Sequence, residues 1–292
     1  MYWRPTRWTR WDALLALTLA IGAAALVARA GANLTYAWDW SGLPGFLARR
    51  GADGTWRAGP LTQGLEVTLR LAVLSGALGL GLGLAAGLGR VGRGYLWRLA
   101  GRAYVGLVRN TPPLVLVFVF YFFLGDQLIH WIGADEWAYT LRGPLRTVAS
   151  VLLGPPERLP AFLSGVFALG LMEGAYFTEI VRAGVEGVER GQWEASAAQG
   201  MTRRQQLRLV ILPQALQRML PALAGQFIST IKDSAIVSII SIQELTFAGQ
   251  ELMAATYRTF EIWSAVLGLY FVLCFACSLW VRRLERRAAR WS

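Results

Sequence analysis

Six charge-poor apolar stretches divide this chain, at about Ala13 to Ala28, Leu65 to Gly89, Pro112 to His130, Pro160 to Val181, Leu220 to Ile242 and Ile262 to Val281. Each approaches the roughly 17–25 residues that a helix needs to cross the hydrocarbon core of a bilayer. Inside lipid every backbone N–H and C=O must be satisfied within the protein, so an isolated apolar run of this kind is driven to be helical. With 55% hydrophobic and only 16% charged residues, the composition also belongs to a polytopic membrane protein and not to a soluble domain. The expected fold class is an all-α polytopic membrane protein with six spans.

Arginine placement orients those spans. With the N-terminus cytoplasmic, that side holds 20 of the 29 Lys and Arg residues and the opposite side 8, Arg70 lying within a span. The positive-inside rule then puts both termini in the cytoplasm. The formal net charge of +11 needs no nucleic acid to explain it, because the basic clusters flank spans where anionic lipid head groups lie. A second reading of the N-terminus stays open. Arg4, Arg7 and Arg10, an apolar run and then Ala28-Arg29-Ala30 have the three-part layout of a cleavable signal peptide, whose removal would leave five spans.

Between the fourth and fifth stretches lies a soluble-looking insert, QWEASAAQGMTRRQQLRLVILP, from Gln192 to Pro213. Trp193, Ala197 and Met201 share one helical stripe. Gly200 stands where a left-handed residue would end that helix. Thr202 and Gln205 then match a capping box, and Leu207 with Ile211 makes a new i, i+4 apolar pair. Two short helices meeting at Gly200 are expected, the second ending near Leu212 because Pro213 disfavours helical geometry in the residue before it.

These same residues carry a resemblance. Glu194-Ala195-Ser196, Gly200 and Val210-Ile211-Leu212-Pro213 resemble, in type and spacing, the EAA loop of permease subunits from binding-protein-dependent ABC importers. Ser196 replaces the second alanine and Val210 an isoleucine. The similarity runs on through Pro213 to Leu245, and upstream through Gly174 to Val188 and Arg109 to Phe122, in the manner of the polar amino acid branch. It implies a five-helix permease core over residues 61–292 with a coupling loop at about 186–218; residues 1–60 lie outside the resemblance, and their apolar run adds an extra N-terminal helix and a periplasmic segment. It also implies the partners: a cytoplasmic ABC ATPase dimer, a periplasmic amino-acid-binding protein, and a second permease, either an identical copy or a homologue. In that scheme Glu194 contacts the ATPase, Ala195 and Ala197 permit close packing, Gly200 sets the angle between the two helices, and Ser196, Leu212 and Pro213 complete the loop. The chain itself would make and break no bond.

Ionisable residues at membrane depth are costly and therefore informative. Glu173 and Glu179 fall in the fourth stretch, and Lys232-Asp233-Ser234 interrupts the fifth. An interrupted helix is one way transporters expose backbone and charge to a polar substrate; a structural ion pair or a kink is the other reading. Glu173, Tyr176, Lys232, Asp233 and Ser234 are the candidate substrate pathway. Glu173 departs from related permeases beside the Gly174-Ala175-Tyr176 motif; it either favours a cationic substrate or pairs with an arginine such as Arg70. Glu179 and Arg182, at i, i+3, read as a local pair or a coupling contact. Ser75, Gly79, Gly83 and Gly87 recur every fourth position, a small-residue face for packing within the subunit or between subunits.

Other chemistries lack their residues. There is no G-x-x-x-x-G-K-[ST] phosphate loop, and Lys232 is the only lysine. Cys274 and Cys277 have no companion ligands and His130 is the only histidine, so neither a metal site nor a bound cofactor is expected. A secondary transporter using Glu173, Glu179 and Asp233 as ion sites would need inverted repeats, which the sequence does not show. A membrane sensor would explain the insert but not the polar breaks in the spans. Outside the membrane, Trp38, Trp40 and Trp56 suit interfacial anchoring. The stretch from Gly125 to Leu159 reads as either a binding-protein contact or a passive connection.

Overall fold

The computed structural model describes residues 9–33, 36–92, 94–133, 140 and 143–288. Arg4, Arg7, Arg93, Arg142 and Arg290, which entered the charge count, lie outside the described residues. The chain divides into two units, residues 1–41 and 42–292. In the first, helix α1 (Arg10–Asn33) starts with reciprocal capping: the Thr9 N–H donates to Asp12 Oδ2 at 2.8 Å and the Asp12 N–H to Thr9 Oγ1 at 3.3 Å. Its described side chains are exposed. The Trp38 and Trp40 rings stack beyond it with centroids 6.1 Å apart.

The second unit opens with one departure from an all-helical expectation. After a short helix, α2 (Leu43–Leu47), strands β1 (Ala48–Arg50) and β2 (Trp56–Ala58) pair antiparallel, Arg49 facing Arg57. Asp53 and Gly54, the latter at φ +77°, make the turn, and the Asp53 carboxylate is held by Thr55 and Arg57. The remaining elements are helices: α3 (Pro60–Val91), α4 (Tyr95–Arg109), α5 (Pro113–Val119), α6 (Asp126–Ile132), α7 (Pro144–Leu153), α8 (Leu159–Glu186), α9 (Arg190–Ala198), α10 (Arg203–Gln205), α11 (Leu212–Asp233), α12 (Leu245–Thr256) and α13 (Thr259–Ala288).

Among the described residues, four helical segments are long and apolar enough to cross a membrane: Pro60–Val91, Pro156–Glu186, Arg203–Ile240 and Thr259–Arg283. A fifth crossing arises if α4 and the segment Pro113–Gly125, bent by 111° where they meet, count as one. This corrects the simple third span expected from Pro112 to His130. The residue before a proline is pushed out of helical geometry, so Thr111-Pro112-Pro113 breaks the chain there. Beyond the bend the helix widens into a π turn at Phe120–Gly125 before α6.

Helices α3 and α8 make the most extensive pairing in the fold, and the small-residue face explains it. Ser75, Gly79, Gly83 and Gly87 are all buried, which resolves the two readings of that face in favour of packing within the subunit. A Cβ placed on Gly83 would sit 2.4 Å from Phe177 Cβ, and one on Gly87 2.8 Å from Val181 Cβ. Without bulk at these positions the backbones approach closely enough for dispersion to hold them in the absence of a hydrophobic drive. Gly83→Ala is therefore expected to force α3 and α8 apart, at a cost of about 1–3 kcal/mol. The thermal midpoint of the purified protein should fall; an unchanged midpoint would mean that Phe177 can yield.

At the other end of α3, Leu61, Leu245, Ala248, Ile262 and Val266 form an apolar cluster joining α3, α12 and α13. A fully buried carboxylate organises the region. Glu244 accepts from the Phe247 N–H (2.9 Å) as the N-cap of α12, from the Tyr270 hydroxyl (2.7 Å) on α13 and from the Thr68 hydroxyl (3.2 Å) on α3. Thr68 Oγ1 in turn accepts the Leu245 N–H at 3.1 Å. One side chain thus satisfies a helix start and ties three helices together.

Candidate functional site

The polar insert forms the two-helix hairpin expected of it. Helix α9 closes at Ala198, and Gly200 takes the left-handed conformation at φ +75°, where a side chain would be strained. Thr202 then caps α10. Its N–H donates to Gln205 Oε1 (2.8 Å) and its hydroxyl accepts the Gln205 N–H (3.4 Å).

The expected stop at Leu212 is not observed. Gln206–Ile211 forms a π turn that leads directly into α11, with Pro213 in its first turn. A proline lacks the N–H for an α-helical bond and its ring crowds the carbonyl four residues earlier. The wider turn relieves both conflicts by shifting the hydrogen-bond register, so the helix continues where an α-helical register would have ended it.

The seven coupling-loop candidates divide by exposure. Glu194, Ala195, Ala197 and Gly200 are exposed along α9 and at the turn, whereas Ser196 is buried and donates to the Trp193 carbonyl at 3.0 Å. The serine thus sits at an inward position where its hydroxyl is satisfied locally. Leu212, half-buried, packs with Val181, Val185 and Ile211, and the seventh, Pro213, is exposed. Arg203 lies 3.6 Å over the Trp193 ring, and Gln206 donates to the Met201 carbonyl at 3.0 Å, fixing the hairpin angle. Between the two helices a concave surface is lined by Arg190, Trp193, Glu194, Ala197, Met201 and Arg203. Glu194, its side chain 68% exposed, pairs with Arg190 at 3.0 Å on the rim.

Beside the hairpin, charge as well as packing ties the spans together. Glu179 pairs with Arg182 on α8 at 2.8 Å, as the spacing predicts, and also with Arg90 at the end of α3. Arg182 extends the network to Glu186. Arg218 on α11 donates to the Gly187 carbonyl just before α9.

Deeper in the spans the candidate pathway residues separate. Glu173 is fully buried, accepting from Gln226 Nε2 (2.7 Å) and Thr230 Oγ1 (3.0 Å) on α11; its Oε1 has no hydrogen-bond partner among the described residues. The pairing with Arg70 is overturned. Arg70 reaches Glu66 at 3.4 Å instead, and Gly79, the residue of α3 that faces Glu173, lies about 13 Å further along that helix. Asp233, half-buried, ends α11 one residue before the change of helix type. Lys232 makes no ion pair with its neighbour: it is exposed in a groove beside Trp263 and Tyr270. Ser234 is buried with its hydroxyl on the Ile231 carbonyl at 2.8 Å. Tyr176 is half-buried under the Arg109 guanidinium, 5.6 Å from the ring centroid.

The interruption at Lys232-Asp233 is a change of helix type, α11 giving way to a 3₁₀ helix over Ser234–Ile240 that ends at Ser241 in the left-handed region. Glu244, which organises the outer end of this region, escaped the sequence reading. Glu is not among the residues favoured at an N-cap, so the local sequence carried no signal for it.

Comparison with known proteins converges on one family. Residues 79–290 match the family described as binding-protein-dependent transport system inner membrane component. The chain is 34% identical to the glutamine transport system permease protein GlnP of Escherichia coli K12, over 86% of this chain and 97% of that one. It is 33% identical to the L-cystine transport system permease protein TcyB of Bacillus subtilis 168, over 79% and 87%. Among solved structures, an amino acid ABC transporter matches with TM-score 0.62 at 32% identity, covering 78% of this chain and 94% of the other. The MetNI methionine transporter, at 21% identity and TM-score 0.57, shares the fold. With the family's pattern matched over residues 79–290 and a polar two-helix hairpin between its apolar helices, the chain belongs to the family of binding-protein-dependent transport system inner membrane components.

Proposed function

We propose that this permease subunit forms half of the path by which an ATP-driven importer brings polar amino acids into the cell. The observation that carries the reading is the hairpin. An exposed helix carrying Arg190 and Glu194, fixed at a set angle by Gly200 and the Trp193–Arg203 stack, presents a concave face beside the spans. Such a face suits a separate ATP-hydrolysing subunit, and this chain carries no phosphate loop of its own. Glu194 contacts that subunit, Ala195 and Ala197 let it approach, and Ser196, Leu212 and Pro213 hold the hairpin to the spans. Closure of an ATPase pair pushes α9; the Arg90–Glu179–Arg182 network and α11 pass the displacement to α3, α8 and the 3₁₀ break.

In this reading two such subunits, identical or homologous, face one another, and a periplasmic binding protein delivers the cargo. Residues 61–292 form the permease domain, with the coupling loop at about 186–218. Helix α1 is retained as a sixth span in residues 1–60, and both termini are cytoplasmic. Glu173, Tyr176, Lys232, Asp233 and Ser234 border the path. Glu173 and Asp233 give it acidic character at membrane depth, which favours cargo bearing an ammonium group.

The test is purification of the chain from its native membrane, with identification of co-purifying proteins and an ATPase assay with glutamine, arginine, glutamate and cystine. An ATPase partner whose turnover rises with one of these is the expected result. A solitary chain that moves amino acids down an ion gradient would overturn it.

A further inference from the structure

At the end of the molecule opposite the hairpin, a cavity of about 170 Å³ opens between the outer part of α3, the turn before α8 and the segment after the 3₁₀ helix. Along α8 it is separated from the hairpin by about 25 residues, roughly 37 Å. Its floor is apolar, with Val67, Leu153 and Phe162. Its rim is polar: Arg70 from α3, Glu157 and Arg158 from the turn, and Ser241 and Gln243 from the far segment.

Two features set this rim apart from an ordinary surface crevice. Among the described residues, the side chains of Glu157, Arg158, Ser241 and Gln243 make no ion pair, and none of these four is held by another side chain of the fold. Two backbone positions in the left-handed region also bound the opening, Gly154 at φ +92° and Ser241 at φ +61°. For a serine that conformation is uncommon, and such residues gather where a site is built. The turn at Ser241 buries Ile242 in the core and leaves the side chains on either side of it at the cavity.

An apolar floor beneath a few converging polar groups is the general form of a small-molecule site. The volume falls below the roughly 300–1,000 Å³ of pockets for drug-sized ligands, which excludes nucleotides and peptides. Arg158 with Glu157, and Arg70 held only by the surface pair with Glu66 at 3.4 Å, give the rim charges that match a molecule carrying an anion and an ammonium a few bonds apart. Planar guanidiniums bind a carboxylate in the bidentate manner, and Glu157 is placed for the ammonium.

We propose that this cavity is a second binding site, on the outer face, for one free amino acid in its zwitterionic form, recognised through its backbone carboxylate and ammonium. It takes cargo before the path through the spans. The proposal rests on the importer reading. An ethanolamine phospholipid head group has the same pairing of charges, and the experiment separates the two sources.

The test uses the full complex in vesicles made with and without phosphatidylethanolamine. Equilibrium binding of tritiated glutamine, arginine and glutamate is measured without binding protein, and the KM of ATP-driven uptake with it. Arg158→Ala, and Ala161→Phe to fill the cavity from α8, are each expected to weaken binding and raise KM by roughly ten- to a hundredfold, in either lipid, with basal ATP hydrolysis unchanged. Arg146→Ala, exposed on α7, serves as the control. Unchanged affinity and KM in both variants would overturn the proposal, as would an effect confined to vesicles containing phosphatidylethanolamine, which would assign the cavity to lipid. Failure of the importer reading is distinct: the wild-type complex would then show no ATP-driven uptake.

Discussion

Glu194→Lys should abolish uptake while leaving the chain folded and inserted. The side chain is mostly exposed and its one ion pair, with Arg190, is a surface pair worth no more than about 1 kcal/mol, so the fold loses little. In the ATPase contact proposed for it the change weighs more. A reversed charge at a docked position meets the partner's complementary charge as a like charge and costs several kcal/mol, roughly a hundredfold or more in association. Co-purification of the ATPase and ATP-driven uptake should fail together, with membrane insertion normal by protease protection. Full uptake by this variant would remove Glu194 from the coupling contact.

The second large effect concerns Glu244→Ala. The carboxylate is fully buried and serves Phe247, Tyr270 and Thr68 at once, so truncation removes a helix cap and leaves two hydroxyls short of their partner. Losing an N-cap costs about 1 kcal/mol, and each buried polar group left unsatisfied about 1–3 kcal/mol more. A total of several kcal/mol rivals the stability of many domains, and the variant should accumulate poorly and melt early. Glu244→Gln keeps the shape and acceptor oxygen and should fall between the two. Equal melting of the wild type and Glu244→Ala would show that water replaces the carboxylate.

Much of the polar hairpin was legible because its determinants are local. A left-handed glycine, a capping box and a three-residue stripe act over a few turns of chain, and Gly200, Thr202 and Trp193 behave as their sequence neighbours dictate. The small-residue face was legible for the same reason, although which partner it met was not. Long-range pairings were opaque. Arg70 and Glu173 have the right charges for one another, yet the register of α3 against α8 puts Gly79 beside Glu173 and leaves Arg70 with Glu66. Glu244 was overlooked because its importance comes from Thr68 and Tyr270, 176 and 26 residues away. The small β-hairpin at Ala48–Ala58 went unread since three-residue strands carry almost no periodicity.

The π turn at Gln206–Ile211 amounts to one surplus residue held inside a helix. Relative to an unbroken α-helix, every side chain from Leu212 onward is rotated by about 100° about the axis. The faces that α11 turns toward α8 and α13 are therefore set by the hairpin side of the turn. Should the turn tighten to α-helical geometry as the hairpin is pushed, a local change of one hydrogen-bond register would reach the membrane interior as a screw motion of α11, carrying Gln226 and Thr230 around Glu173.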